Sequence, residues 1–308
     1  HRIARRQRQM CIRDSIMSKR KGNDVLTGGT PEGSMAQGWA GERQDVLRDE
    51  FGLEIPVENV PLPSKGVLYP PDHPLHMQET VQIRSMTARE EDILTSKALI
   101  KKGTVITELI RSCLIDKRID PNDMILGDRN ALMVSLRITG YGSDYKIEVG
   151  CPSCGEKSKQ QFNLAALPIT RLTCEPVAKG SNLFEAEMPK NRENDPNLTI
   201  RYRHMTGHDE TNISQMAERK KKQGFKNDNM ITTRYQHQIV AVNDITDKSK
   251  IQMFIQKMPT RYSLALRKAM DANEPGIKMK QEIQCPHCGT ESEVSMPLGA
   301  NFFWPDAE

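Results

Sequence analysis

DYKIEVGCPSCG (residues 144–155) and IKMKQEIQCPHCG (residues 277–289) are two versions of one pattern. Tyr145, Ile147 and Val149 alternate with Lys146 and Glu148, as in a strand with one covered face. Ile277, Met279, Gln281 and Ile283 line a strand face in the second version. Each strand runs into CPxCG, the turn of a zinc knuckle, where Pro and a bare Gly backbone shape the tight bend. One knuckle supplies two thiolates, half of a tetrahedral site. Together, Cys151, Cys154, Cys285 and Cys288 make a full set for one structural zinc ion per chain. Four sulfurs close the coordination shell, so the ion holds structure and has no open position for catalysis.

The two pairs are 130 residues apart, so their partnership rests on a second signal, an internal duplication. TVQIRSMT (80–87) leading to AREEDIL compares with LTIRYRHMT (198–206) leading to GHDE. Both read as a strand entering a helix, with Thr87/Glu90 and Thr206/Asp209 at capping-box spacing. Before each knuckle a helix is expected: DRNALMVSLRI from Asp128, ended by Gly140, and RYSLALRKAM from Arg261, turned by Pro275-Gly276. Between these ends, Val105, Ile106, Leu109, Ile110, Cys113 and Leu114 recur at helical spacing, as do Ile231, Tyr235, Ile239 and Val242. Asp120-Pro121 reads as another helix start. The expected fold is α+β: two duplicated strand–helices–hairpin units joined by a zinc-ribbon-like four-cysteine site, behind a disordered N-terminal tail.

The expected domains are a tail over 1–54, a proline-rich extended arm over 55–79, a first unit over 80–167, a linker over 168–197 and a second unit over 198–308. RQRQMCIRDS within residues 1–16 resembles translated sequencing-adapter sequence, which makes Met17 the expected start. Residues 17–50 lack apolar periodicity; Trp39 and ERQDVLRDEFGL (42–53) stand out there as a possible docking segment against a solvated tail. Pro56, Pro61, Pro63, Pro70, Pro71 and Pro74 exclude helix and central strand from the arm. Ser64-Lys65-Gly66 lacks the spacing of a phosphate loop. The aromatic run Asn301–Pro305 can anchor a partner or fold back on the core.

Other readings of the cysteines are sites completed by a second chain, redox pairs, and knuckles without metal. Redox exchange is disfavoured, because a thioredoxin-like CxxC opens a helix, whereas Glu156–Lys159 and Thr290–Glu293 lead into new strands. Cys113 belongs to an apolar stripe, Cys174 to the linker and Cys11 to the tail. His287 inside the second knuckle should point outward, and His204 and His208, without HExxH around them, should face solvent or cap.

Composition narrows the function. Residues 1–21 carry eight basic side chains against Asp14, a net of +7; with +4 for the whole chain, the remainder sums to −3. The folded part therefore has no cationic excess to draw it to nucleic acid, and Arg219–Lys222 with Lys226 reads as a solvated helix end. No run of about 18 apolar residues can span a bilayer. A mean hydropathy of −0.61 fits polar loops. Paired cysteines without a disulfide framework place the chain in a reducing cytoplasm. GxSxG, GxGxxG after a strand and HExxH are all missing, so no catalytic residues and no small-molecule substrate are expected.

VPLPSKGVLYPPDHPL, VQIRSMTAREEDILTSKALIKKGTVITELIRSCL and GDRNALMVSLRITGYGSDYKIEVGCPSCG resemble the T4-type bacteriophage baseplate proteins, specifically the hub subunit and hub-assembly group. The resemblance covers residues 55–165; the second unit joins it through the duplication and CPHCG. It implies a non-enzymatic protein of a contractile-tailed phage, made in the host bacterial cytoplasm and used to build the baseplate hub. Its implied partners are other baseplate and tail hub proteins. The competing function is a zinc-ribbon nucleic-acid-binding accessory protein, disfavoured by the −3 balance.

Overall fold

The computed structural model describes residues 45–48, 51–190, 197–223 and 230–303. Residues 1–44, with Cys11, Met17 and Trp39, lie outside the described residues, as do Lys226, Trp304 and Pro305. The architecture is mixed helix and small antiparallel sheets.

The first half opens with strands β1 (Asp45–Arg48), β2 (Glu54–Pro61) and β3 (Thr80–Arg84), which form a sheet in that order. Helices α1 (Ala88–Thr95), α2 (Lys97–Lys102), α3 (Val105–Cys113) and α4 (Leu126–Tyr141) follow. The half closes on the hairpin of β4 (Asp144–Gly150) and β5 (Lys157–Asn163). Strand β6 (Ile169–Thr170) connects onward. The second half runs β7 (Phe184–Glu187), β8 (Thr199–Tyr202), α5 (Gly207–Lys222), α6 (Met230–Gln238), β9 (Ile239–Val242), α7 (Lys248–Lys257) and α8 (Thr260–Asn273), so the third strand of its sheet, β9, follows two helices. Short β10 (Gly276–Ile277) precedes the hairpin of β11 (Lys280–Gln284) and β12 (Glu291–Ser295).

Several expectations are corrected. β1 lies inside the expected tail, and β2, in the proline-rich arm, is the central strand of its sheet. The prolines are tolerated because the pairing is staggered: β1 flanks residues 54–57 and β3 flanks 57–61, so only Val57 has a neighbour on both sides. Pro61 lies beyond β1, and Pro56 lies just past the last β2–β3 ladder pair, where its carbonyl still accepts from Ser85 N–H at 2.9 Å. The expected linker contributes β7 to the second sheet and β6, which pairs with β10. α4 continues past Gly140 and ends at Gly142 (φ 86°). A Cβ at Gly140 would meet only the flexible end of the Met86 side chain, so the glycine sits inside the helix and does not end it. Asp120-Pro121 opens a turn, not a helix, since the Asp120 carboxylate accepts from the Asn122 N–H at 2.9 Å. The stripe Ile231–Val242 breaks into α6 and β9: the branched run Ile239-Val-Ala-Val242 pairs as a strand, and Ile231 is exposed.

Both strand-to-helix junctions use one device. Thr87 N–H donates to Glu90 at 2.9 Å, and Arg84 reaches the same carboxylate at 2.7 Å. Thr206 N–H donates to Asp209 at 2.9 Å, and Arg203 holds that carboxylate at 2.7 Å. In each case one acid satisfies orphan N–H groups and neutralises an arginine three residues before the cap.

The buried side chains of both halves form one cluster. α4 is its centre, buried along most of its length. The second half docks on the start of α4 through backbone bonds: Leu126 N–H to Met205 O (2.9 Å), Gly207 N–H to Met124 O (3.0 Å) and His208 N–H to Asn122 O (2.9 Å). Gly127 meets the Pro275 carbonyl so closely that any Cβ would overlap it. Phe302 and Phe303 are fully buried, with Phe302 5.1 Å from the Tyr145 ring, so this end folds back onto the core.

Candidate metal centre

β4 and β11 each deliver a cysteine at the strand end. The two turns then close in the same way. Cys151 N–H donates to Glu156 O (2.9 Å) and Gly155 N–H to Cys151 O (2.9 Å); Cys285 N–H donates to Thr290 O (3.0 Å) and Gly289 N–H to Cys285 O (2.9 Å). Gly155 (φ 76°) and Gly289 (φ 71°) adopt the left-handed conformation that lets the chain double back behind the second cysteine. In each knuckle the first cysteine is buried and the second exposed.

The structure brings all four predicted cysteines together. Cys151 Sγ lies 3.7 Å from Cys288 Sγ, and Cys154 Sγ lies 3.8 Å from Cys285 Sγ. All four sulfurs fall within 4.8 Å of one another. Zinc–sulfur bonds of about 2.3 Å in a tetrahedron give sulfur–sulfur edges of about 3.8 Å. The donor set therefore fits a tetrahedral, thiolate-bound cation. Both close pairs cross between halves, so an ion here would tie β4–β5 to β11–β12.

The local electrostatics favour a cation as well. N–H groups of Cys154 and Ser153 lower the Cys151 thiol. The Thr290 hydroxyl and N–H pull Cys288 down to about 6. Cys154 is pushed up to about 12: the Glu156 N–H works to lower it, but some loss of solvent on its inner side and the three neighbouring sulfurs outweigh that bond. Adjacent thiolates oppose one another's ionisation, and a divalent ion removes that opposition.

Other candidates separate from the cluster. His287 is exposed and is not part of the four-sulfur group. Cys113 is fully buried and its thiol is pushed up to about 12, first by burial. Cys174 is exposed. His208 is exposed beside Asp123 at 3.1 Å, whereas His204 is 3 % exposed, contrary to expectation. Its ring packs between Phe184 (4.8 Å) and Tyr202 (6.0 Å), and burial lowers its pKa to about 4.

One buried constellation was missed by sequence reasoning. Asp128 accepts from Ser64 N–H (2.9 Å), Ser64 Oγ (2.6 Å) and Tyr69 OH (2.7 Å), and Tyr69 OH accepts from Ile125 N–H (3.2 Å). This network fastens the Ser64–Tyr69 loop to the first turn of α4. Burial raises the Asp128 carboxyl above its ordinary range.

A family model described as T4 bacteriophage base plate protein matches residues 59–304, most of the chain and both knuckles. The chain belongs to that family. No match was found among curated proteins or among solved structures. Membership of the baseplate family suggests a structural role in the phage tail, with other tail proteins as partners, rather than an enzymatic one. The match runs well beyond the stretch whose residues carried the resemblance and takes in the whole described second half up to Phe303. Among the described residues, no helix is long and apolar enough to cross a membrane.

Proposed function

We propose that this baseplate protein is a structural or assembly component of the hub, in which Cys151, Cys154, Cys285 and Cys288 hold one structural zinc between two duplicated halves. The observation that carries the reading is the crossed pairing of sulfurs, at 3.7 Å and 3.8 Å, from hairpins at corresponding places in the two halves. Zinc is favoured over harder cations because a four-thiolate tetrahedron is its usual structural shell. The duplication is supported by the repeated order of sheet, capped helix, long helix and knuckle, and by the matching Arg84–Glu90 and Arg203–Asp209 pairs. Family membership supports a place in the tail baseplate, while the hub role and assembly in the host cytoplasm follow from the resemblance of residues 55–165 to the hub group.

The zinc reading is tested by elemental analysis of protein purified without added metal. About one zinc per chain is expected, and none in Cys151→Ser or in Cys285→Ser, since each removes a ligand from the same ion. Two metals per chain, or zinc retained when either knuckle is broken, would contradict it. The assembly role is tested separately by co-expression with the neighbouring tail genes. A stable complex with hub proteins is expected, and recovery of the chain alone counts against the role.

A further inference from the structure

Among the described residues, three non-glycine positions have left-handed backbone, and two of them, Lys65 (φ 53°) and Met77 (φ 55°), line the same cavity. That conformation is disfavoured for residues with side chains, and such strain collects where a protein holds a side chain for use. The cavity, about 440 Å³, lies between the 62–78 loop and the 171–180 segment. Its size falls in the usual range of ligand sites, about 300–1,000 Å³.

Both walls are fixed before anything binds. The loop is fastened from beneath by the Ser64–Asp128–Tyr69 network, and Gly66 is enclosed so tightly that a Cβ would run into Leu75 O and Gln78 N. The opposite wall is anchored by the buried Asn273 side chain, whose oxygen accepts from the N–H groups of Thr173 and Cys174, each at 3.0 Å. The Arg171 guanidinium donates to Leu62 O and joins the two walls. A preformed site avoids the ordering cost of binding.

The lining has a definite chemistry. Lys65, Arg171 and Lys179 face it, against Glu175 as its one acid, while Val67 and Leu172 supply apolar surface. Lys65 also pairs with Glu79 at 3.4 Å, but both side chains are more than half exposed and the pair is weak. Met77 stands at the mouth, 61 % exposed, and methionine adapts well to varied apolar partners.

We propose that this cavity is the docking site for a short peptide segment that carries a carboxylate beside apolar side chains. The cations receive the carboxylate, and Met77, Val67 and Leu172 receive the apolar neighbours. Only the source of the peptide, another tail protein, rests on the assembly reading above.

The test is to pan the full chain against a displayed library of random twelve-residue peptides and to measure synthetic copies of the enriched sequences by fluorescence anisotropy. Enriched peptides should carry Asp or Glu next to Leu, Met or Phe. Lys179→Glu, at an exposed position, should weaken them by about tenfold, and added salt should weaken them further. Met77→Gly removes the side chain and relieves the left-handed strain, so affinity should fall about threefold while Tm stays level or rises. Three results would overturn the proposal: no acidic–apolar enrichment, affinity unchanged in both variants, or complete displacement by millimolar inorganic phosphate. The zinc and hub-complex measurements do not depend on Lys179 or Met77, so failure of the cavity and failure of the assembly reading are told apart.

Discussion

The two halves solve the same problem with carboxylates one methylene apart. Glu90 in the first half is fully buried, held by both Arg84 nitrogens, Ser112 and Thr87, and its pKa falls to about 2 because those bonds outweigh the opposing effect of burial. Asp209 in the second half is shorter, reaches Arg203 and Thr206, and takes His237 at 3.1 Å as a further neighbour. Burial again opposes ionisation, and the Arg203 and Thr206 bonds again lower the pKa. Arg84 is the more deeply placed arginine, with its side chain 18 % exposed against 29 % for Arg203. The longer acid therefore serves a tighter site. The two junctions share one arrangement, with the longer acid beside the more deeply placed arginine.

The largest break in this comparison is to separate the halves. Stripping the proposed zinc with a strong chelator should lower Tm by more than any single cap variant, because structural zinc binding is comparable with the whole stability of a domain. Calorimetry before and after chelation checks this; an unchanged Tm would show that the apolar cluster alone holds the halves. Gly127→Ala comes next. Its methyl has nowhere to go against the Pro275 carbonyl, which is backbone, and a loss of about 3 kcal/mol in denaturant titration is expected.

Removing each cap acid measures the difference between the junctions directly. Glu90→Ala leaves Arg84 unpaired and should cost about 3 kcal/mol; Asp209→Ala, beside a more exposed arginine, should cost about 2 kcal/mol. Equal costs would show that depth does not matter. The smallest and sharpest contrast is in pH. His204 has its folded pKa lowered from 6.5 to about 4, so its contribution is complete above 6.5 and is lost as pH falls toward 4. Glu90, lowered from 4.5 to about 2, contributes above 4.5 and loses that contribution as pH falls toward 2. Acid should therefore weaken the second half first. His204→Phe should flatten the stability curve between pH 6.5 and 4 by about 3 kcal/mol, and Glu90→Gln should flatten only the part below 4.5.

Signals carried by neighbouring residues were legible in the sequence. Cys-Pro-x-Cys-Gly, the Thr-x-x-acid caps and the 105–114 stripe each declare themselves within one turn or strand; the structure forms both caps, makes Val105–Cys113 a helix and draws the four cysteines together. What stayed hidden depends on distant partners. Six prolines hid β2, because whether a proline is tolerated depends on which flank the neighbouring strand covers. Asp128 marked only the start of an expected helix; its role needs Ser64, 64 residues earlier, and Tyr69, 59 residues earlier. His204 sits between two residue types that also occur on surfaces, and only β7 pairing with β8 brings Phe184 over it.

The burial of Phe302 against Tyr145 of β4, with Phe303 buried beside it, sets an order for biosynthesis. While the ribosome is still adding the last helices, Tyr145 lacks its cover and Cys151 and Cys154 have only two thiols to offer. The first half must wait with an apolar face open until residues 285–303 emerge, a window of several seconds or more at bacterial elongation rates of about 5–20 residues per second. Chaperones and premature partners have their access during that interval, and a nascent chain stalled before Cys285 is the species on which to look for them.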